Sequence, residues 1–300
     1  MGSSVETLKN KAQESWTENF IDGPYSNLIQ ADYLVSKSGA SWEQILKDPK
    51  ILKTRITDSQ LQDDNSLSFK RTWATAAGRC TSFAVRIVRR LQEYNSPSFD
   101  FKFYDLKGHR VARCALTGIL IDSSSAVGVL VVKDGGEWVT LDEGEENNPK
   151  WKWDGSDSKF KTDRQGLKKS EGALTVQQCM TQCLSEVRDR FEPLCLFRSF
   201  TGGRAHFHGM IKWEPTKKQL LLIEDLGNRK NTTRTIAFGP SGTKDTENEC
   251  IEAVKNFISQ HGGPEGERQW KFGQPDHRAE DVHGVIWRQA ISLWGLPHMK

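Results

Sequence analysis

Three residues in the first half of the chain have the side chains that thiol chemistry requires. Cys80 opens an amphipathic run, His109 lies near the start of a strand-like stretch, and Asp122 ends a short apolar run. A free thiol is only a few per cent thiolate at neutral pH, so a nearby imidazole is needed to take its proton. A carboxylate then orients the ring and stabilises the imidazolium. The three residues therefore predict a nucleophile, a base and an orienting group.

The run after Cys80 predicts a helix that begins at the cysteine and ends near Asn95-Ser96-Pro97. Its apolar positions recur at helical spacing and form one stripe: Phe83, Ala84, Ile87, Val88 and Leu91. In the first turn, free backbone N–H groups and the helix dipole favour a thiolate. The alternative is that Cys80 is a small buried residue, as most free cysteines are.

Three strands are predicted after this helix, at residues 99–104, 108–116 and 119–122. The first alternates phenylalanine with polar residues, as a half-buried strand does. If the last two form a hairpin that turns near Ala115-Leu116, His109 lies about opposite Asp122. The nucleophile is then at a helix start, the base on one strand and the carboxylate on the next.

These residues resemble the core of the transglutaminase-like cysteine enzymes, which arylamine N-acetyltransferases and several peptidases share. The resemblance covers about residues 70–130 and rests on three motifs: Gly78-x-Cys80-x-x-Phe83-Ala84, Gly108-His109 and Ile121-Asp122. Ser123 stands where proline often follows the family's carboxylate, and Arg110 follows the histidine in place of the usual small or aromatic residue.

The resemblance implies an α+β fold in which a helical N-terminal segment precedes a central helix. That helix carries the nucleophilic Cys80 and packs on an antiparallel sheet, as in the papain-like Cys-His-Asp core. The implied function is thiol-mediated acyl transfer through a cysteinyl thioester, which forms or cleaves an amide or ester bond between a small-molecule acyl donor and acceptor and needs no metal or organic cofactor. Two alternatives stay open: a cysteine peptidase or deamidase that acts on protein, and a non-catalytic binding module of the same fold.

Composition excludes some classes of function. The chain has 300 residues, and 42 Lys and Arg against 39 Asp and Glu give a net charge of +3. The basic residues are scattered among acids, so no nucleic-acid partner is expected. No apolar run has membrane-spanning length, and no secretory signal is found, so we expect no membrane partner and a cytoplasmic location. The six dispersed cysteines fit reduced thiols.

The pattern divides the chain into four parts. Residues 1–70 are predicted to be a helical N-terminal segment and 71–142 the Cys-His-Asp core. The charged, tryptophan-bearing residues 143–172 are predicted to be a surface excursion or lid, and 173–300 an α+β part packed on the core. Residues 126–132 and 138–141 are predicted to pair as a hairpin that extends the core sheet.

Aromatic and histidine side chains are candidates for binding substrate. Trp151 and Trp153 alternate with lysines and are predicted to line a substrate mouth, or else to pack their loop on the body. His206 and His208 share one strand face and are predicted to border the cleft. The Cys80 N–H is one expected oxyanion donor. The candidates for the second oxyanion donor are Trp73, Thr75 and Gln62, and Trp73 is also a candidate for binding substrate.

The second half of the chain repeats the order of residue types in the first half. A predicted helix with Cys179 and Cys183 is followed by a predicted strand with two histidines and then by a strand that ends in Glu224-Asp225. A decayed duplication and a coincidence of helix plus meander both explain this pattern, and we favour the coincidence. Two cysteines and two histidines also suggest zinc, but their spacing is not that of a compact structural site. The sequence therefore predicts no metal.

Overall fold

The structure is a computed structural model. It describes residues 4–20, 25–74, 78–95, 99–106, 109–125, 127–139, 150–162, 173–201, 204–217, 219–226, 231–237 and 247–262. The fold is mixed α+β with antiparallel sheets, as the sequence predicts.

In the described residues the α-helices are α1 (Val5–Phe20), α2 (Leu28–Ser38), α3 (Trp42–Lys47), α4 (Lys50–Arg55), α5 (Asp58–Gln62), α6 (Leu67–Thr72), α7 (Cys80–Asn95), α8 (Val176–Asp189) and α9 (Glu247–Gly262). The strands are β1 (Tyr25–Ser26), β2 (Phe101–Asp105), β3 (Arg110–Cys114), β4 (Ile119–Asp122), β5 (Gly128–Val131), β6 (Glu137–Val139), β7 (Lys150–Asp154), β8 (Lys159–Thr162), β9 (Leu194–Thr201), β10 (Arg204–Glu214), β11 (Gln219–Asp225) and β12 (Asn231–Ala237).

The chain forms two compact units. The first contains Met1–Asp22, Arg79–Thr181 and Phe200–Ala205, and the second contains Gly23–Gly78, Gln182–Ser199 and His206–Lys300. This grouping cuts the chain at other places than the predicted four-part division, because α1 packs on α7 and β5 of the first unit. The side chain of Gln13 on α1 also accepts a hydrogen bond from the Val129 N–H on β5 at 3.1 Å.

Helix α7 has the predicted bounds. Its first half is buried on all sides, and not only along the predicted apolar stripe. Every residue from Cys80 to Val88 is buried. The polar side of this half of the helix faces α1, where the buried Arg86 donates to Asn19 Oδ1 at 2.8 Å and pairs with Glu18. A buried guanidinium needs such partners, because burying an unpaired charge is costly. The helix that bears Cys80 is thus held by α1 as well as by the sheet.

The sheet beside α7 has the order β2-β3-β4-β5. In the β3–β4 hairpin Ala112 pairs with Ile121 and Arg113 with Leu120. The turn is therefore one residue further along the chain than predicted. By this register Asp122 lies across from Val111, and His109 would face Ser124. Diagonal neighbours on adjacent strands are still within reach of each other's side chains.

Strand β6 pairs with β7, and β7 pairs with β8, in a separate three-stranded sheet. The predicted hairpin between 126–132 and 138–141 is therefore wrong. At its proposed turn the Gly136 N–H donates to the Lys133 carbonyl and Gly135 has a φ of 71°. The Trp153 N–H then bonds the Gly136 carbonyl, so the chain leaves β5 and joins β7. Within the predicted surface excursion or lid, residues 150–154 and 159–162 form the paired strands β7 and β8.

An aromatic cluster joins the two sheets of the first unit. It packs tryptophans and a phenylalanine of β6–β8 against apolar residues of the β2–β5 sheet: Tyr104, Leu106, Val111, Leu120, Val132, Trp138, Trp151, Trp153 and Phe160. Phe160 lies edge-on to Tyr104, Trp138 and Trp153 with centroids 4.7–5.1 Å apart. Such edge-to-face contacts stabilise the cluster beyond the burial of area.

The second unit contains helices α2–α6 and a sheet of order β1-β9-β10-β11-β12. Ser41 caps α3 in a capping box with Gln44. Phe257 of α9 packs on the sheet beside Phe197, with ring centroids 5.8 Å apart. Gly209 on β10 leaves room for this ring, since a Cβ there would lie 2.8 Å from Phe257.

Candidate active site

Cys80 is the first residue of α7. The helix begins there, because the Phe83 N–H donates to the Arg79 carbonyl at 2.9 Å as the first intrahelical bond. The backbone N–H groups of this first turn have no carbonyl one turn earlier to bind. The Ser123 hydroxyl donates to the Cys80 carbonyl at 2.7 Å and fixes the backbone of the cysteine. Cys80 itself is only 8% exposed.

His109 lies immediately before β3, where the β2–β3 hairpin closes. Its carbonyl accepts a hydrogen bond from the Leu106 N–H at 2.6 Å, which pairs the two residues across the turn. Its Nε2 lies 2.6 Å from Asp122 Oδ1. Because a carboxylate accepts, Nε2 carries the proton of this bond and Nδ1 is left for the sulfur. The diagonal relation set by the hairpin register produces this contact.

Asp122 is the last residue of β4, and its side chain has no exposure to solvent. Each carboxylate oxygen has a donor. His109 Nε2 binds Oδ1, and the Trp138 indole Nε1 donates to Oδ2 at 3.3 Å. A carboxylate buried this deeply is stable only when it is paired and hydrogen-bonded. The aromatic cluster therefore supplies the second donor of the orienting group.

Opposing effects set the pKa of Cys80. Burial raises it, but the hydrogen bond and charge of His109, the charge of Arg79 and the Arg110 backbone N–H bring it down to about 7. For His109, burial lowers the pKa, but Asp122 and the Cys80 thiolate outweigh burial and raise it well above its usual value. The two shifts favour a thiolate–imidazolium pair at neutral pH.

Cys195, on β9, shows what burial does without such partners. Its side chain is completely buried, and desolvation raises the pKa of the thiol far above the usual range despite the Ser26 hydroxyl and the charge of Arg198. Both cysteines are buried, but only Cys80 has a histidine beside it. The chemical difference between them therefore comes from neighbours and not from exposure.

The predicted tryptophans lie in two places. Trp151 and Trp153 are 2% and 5% exposed within the aromatic cluster, and the guanidinium of Arg113 lies 4.1 Å from the Trp153 ring. Such burial favours the packing alternative, and a role at a substrate mouth stays a prediction. Trp73 belongs to the second unit, is 1% exposed and packs edge-on against Phe69. Its role as an oxyanion donor also stays a prediction, and Thr75 lies outside the described residues.

The candidates of the second half are distributed as follows. His206 and His208 lie on β10, as predicted, but the His206 side chain lies outside the described part of the structure. Cys179 and Cys183 lie on α8. Within the described residues, no group of three or more His, Cys, Asp or Glu side chains is arranged to hold a metal ion. The idea that the histidines border the cleft stays a prediction.

Sequence reasoning did not identify four groups that contact the three central residues. Trp138 binds Asp122, Ser123 binds Cys80, Ser124 lies beside His109, and the Arg110 N–H binds the sulfur. Ser123 had a signal in the sequence, because it places a hydroxyl donor directly after the predicted carboxylate. Trp138 had no such signal in the sequence, because its contact with Asp122 depends on β6 pairing with β7 and not with β5.

No helix among the described residues has both the length and the apolar character needed to cross a bilayer. A comparison of the chain with protein-family models, with curated proteins and with solved structures finds no match. The functional argument therefore depends on the geometry and electrostatics of Cys80, His109 and Asp122.

Proposed function

We propose that this protein is a cysteine-dependent acyltransferase that forms a thioester on Cys80. The observation that carries the proposal is the continuous chain of contacts from the Cys80 sulfur to the His109 ring and from that ring to Asp122 at 2.6 Å. Nucleophile, base and orienting carboxylate in this arrangement define a catalytic triad by geometry and role.

The mechanism follows from the protonation states. The Cys80 thiolate attacks the carbonyl carbon of the donor, a C–S bond forms, and the leaving group departs with the proton held on His109 Nδ1. An acceptor then attacks the thioester, gives its proton to Nδ1, and the C–S bond breaks to restore the thiolate. Asp122 keeps the ring oriented and stabilises each imidazolium. In this mechanism the Cys80 N–H, at the start of α7, stabilises the tetrahedral oxyanion.

The family proposal has structural support of the same kind. Helix α7 begins at the cysteine, and the next strands of an antiparallel sheet bring histidine and aspartate to it in the order of the transglutaminase-like core. The acceptor decides between transfer and hydrolysis, because water in the second step makes the same site a peptidase or deamidase. The lowered pKa of Cys80 argues against a binding module that has lost its chemistry.

The test is intact-mass analysis after rapid mixing with 4-nitrophenyl acetate, an activated acyl donor. We expect one acetyl group on wild-type protein, located on the Cys80 peptide, and none there on Cys80→Ser. Cys183→Ala is the matched control, because Cys183 is a partly exposed thiol on α8. If acetylation is equal on Cys80→Ser and wild type, or is removed by Cys183→Ala, Cys80 is not the nucleophile.

A further inference from the structure

The Nδ1 atom of His109 has a second neighbour besides the cysteine. The Ser124 hydroxyl oxygen lies 3.1 Å from it. A neutral imidazole whose Nε2 carries the proton has one lone pair, on Nδ1, so it accepts one strong hydrogen bond at that atom. The thiol of Cys80 and the hydroxyl of Ser124 therefore compete for the nitrogen that moves the proton.

The position of Ser124 is fixed by the turn between β4 and β5. The Ser125 N–H donates to the Asp122 carbonyl at 3.3 Å, and the Gly128 N–H donates to the Ser125 carbonyl at 3.2 Å. The hydroxyls on either side have other partners, since Ser123 binds the Cys80 carbonyl and Ser125 accepts from the Val127 N–H. Of these three serines, Ser124 is partly exposed and directs its hydroxyl to the histidine.

We propose that Ser124 is a positioning residue for the second half of acyl transfer, in which it holds His109 as an oriented, neutral base while Cys80 is acylated. The inference rests on the proposed function. In the resting ion pair, Nδ1–H donates to the thiolate and the hydroxyl of Ser124 is not needed as a donor. Its part begins after the first half-reaction.

Acylation removes the cysteine as a partner. Once the C–S bond has formed and the leaving group has taken the Nδ1 proton, the sulfur carries no proton and its charge is gone. The lone pair of Nδ1 is then free, and the Ser124 O–H is the donor beside it. This bond keeps the ring in the plane from which Nδ1 takes the proton of the acceptor. When the acceptor attacks, the hydroxyl rotates away, Nδ1 takes the proton, and the C–S bond breaks.

In the free enzyme, the hydrogen bond from Ser124 to His109 opposes catalysis, because it lowers the thiolate fraction of Cys80. A hydroxyl that donates to Nδ1 stabilises the neutral imidazole and so opposes transfer of the thiol proton to it. Removal of the hydroxyl should therefore increase the thiolate fraction of Cys80. A residue with a merely structural role would not produce this change.

The experiment uses 4-nitrophenyl acetate and full-length wild type, Ser124→Ala and Ser124→Thr. The burst of nitrophenolate measures acylation, and the following linear phase measures deacylation. We expect Ser124→Ala to keep the burst rate within about twofold and to lose about tenfold in the linear phase, the effect of one hydrogen bond. Ser124→Thr, which keeps the hydroxyl, should restore it. Ser156→Ala, at an exposed hydroxyl that binds Asp154, is the matched control.

A second measurement does not depend on turnover. The rate of Cys80 alkylation by iodoacetamide against pH should have its midpoint lower in Ser124→Ala by about half a pH unit, a factor of ~3 in the thiolate equilibrium. Equal loss in both kinetic phases, an unaffected linear phase, or an unchanged midpoint would overturn the role of Ser124. Absence of an acetyl group on Cys80 in wild type would instead overturn the proposed function, and the midpoint would then still decide whether the Ser124 hydroxyl binds His109.

Discussion

The indole of Trp138 donates to Oδ2 of Asp122 at 3.3 Å, and His109 holds the other oxygen of the same carboxylate. The two donors approach from different elements, because Trp138 lies on β6 and His109 precedes β3. The orientation of the carboxylate therefore depends on a strand outside the sheet that carries it. This dependence leads to the first prediction.

Trp138→Phe should reduce acylation by roughly tenfold to a hundredfold, since a hydrogen bond to a charged group is worth about 1.5–3 kcal/mol. The phenyl ring preserves most of the packing in the aromatic cluster, so the loss arises from the missing donor. Trp151→Phe is the matched control, because Trp151 lies in the same cluster at 2% exposure. Single-turnover acylation and melting temperatures of both variants give the measurement. Equal activity in the two variants would contradict a specific role for the indole.

Cys80 should be alkylated by iodoacetamide with a midpoint near pH 7. Its thiol pKa is lowered to about 7, so the thiolate forms above that pH and the rate falls as pH decreases through it. Cys195 should stay unreactive, because burial raises its pKa far above the usual range. Peptide-resolved mass spectrometry of the native protein gives both rates. The urea-unfolded chain is the reference, and a Cys80 midpoint equal to that of the unfolded chain would exclude the ion pair.

His109→Ala should lower acylation by about 10²–10⁴, the range for loss of a general base. Asp122→Asn should lower it strongly as well, because an amide favours the wrong imidazole tautomer, a change that cost about 10⁴ in a serine triad. Both act through the same thiolate, so the double variant should be little worse than either single one. Single-turnover rates, with folding checked by circular dichroism, test this. If the double variant loses acylation rate by the product of the two single losses, Asp122 does not act through His109.

Cys183→Ala should leave acylation near the wild-type level and reduce the free energy of unfolding by about 1 kcal/mol, as for an ordinary loss of packing. The reason is that the described residues hold no metal cluster and the three central residues belong to the first unit. Activity, denaturant unfolding and the zinc content of the purified protein give the measurements. Stoichiometric zinc, or a large activity loss with an intact fold, would place the chemistry in the second half.

Local patterns were sufficient for the elements that carry the candidate site. The apolar spacing after Cys80 gave the bounds of α7, and Asp122 ends a strand as expected. The His109–Asp122 contact was predicted from a register that differs from the observed one. It forms because diagonal partners are also close, so the prediction tolerated an error of one residue in the turn.

Long-range pairing could not be predicted in this way. Strand β6 pairs with β7 and not with β5, and the side chains of β7 and β8 pack with Trp138 in the aromatic cluster. The residues next to Trp138 in the sequence do not predict this pairing. The partners of α1 likewise come from distant parts of the chain, because the side chains of Asn19 and Gln13 bind α7 and β5. Hydrophobic periodicity predicts whether a segment is a helix or a strand, but it does not predict which distant segments that helix or strand will contact.

The contact between α1 and α7, formed by Arg86 with Asn19 and Glu18, has a consequence for folding during translation. Arg86 and Asn19 are 67 positions apart, so α1 leaves the ribosome long before the helix that covers it. At about 5–20 residues per second, the interval between the end of α1 and the start of α7 is roughly 3–12 s. During that time neither α7 nor β5, the two elements that α1 packs on, has been made, and the finished protein buries Leu8, Ala12 and Trp16 of α1. A nascent chain paused before residue 80 should therefore be a better chaperone substrate than one paused after β5.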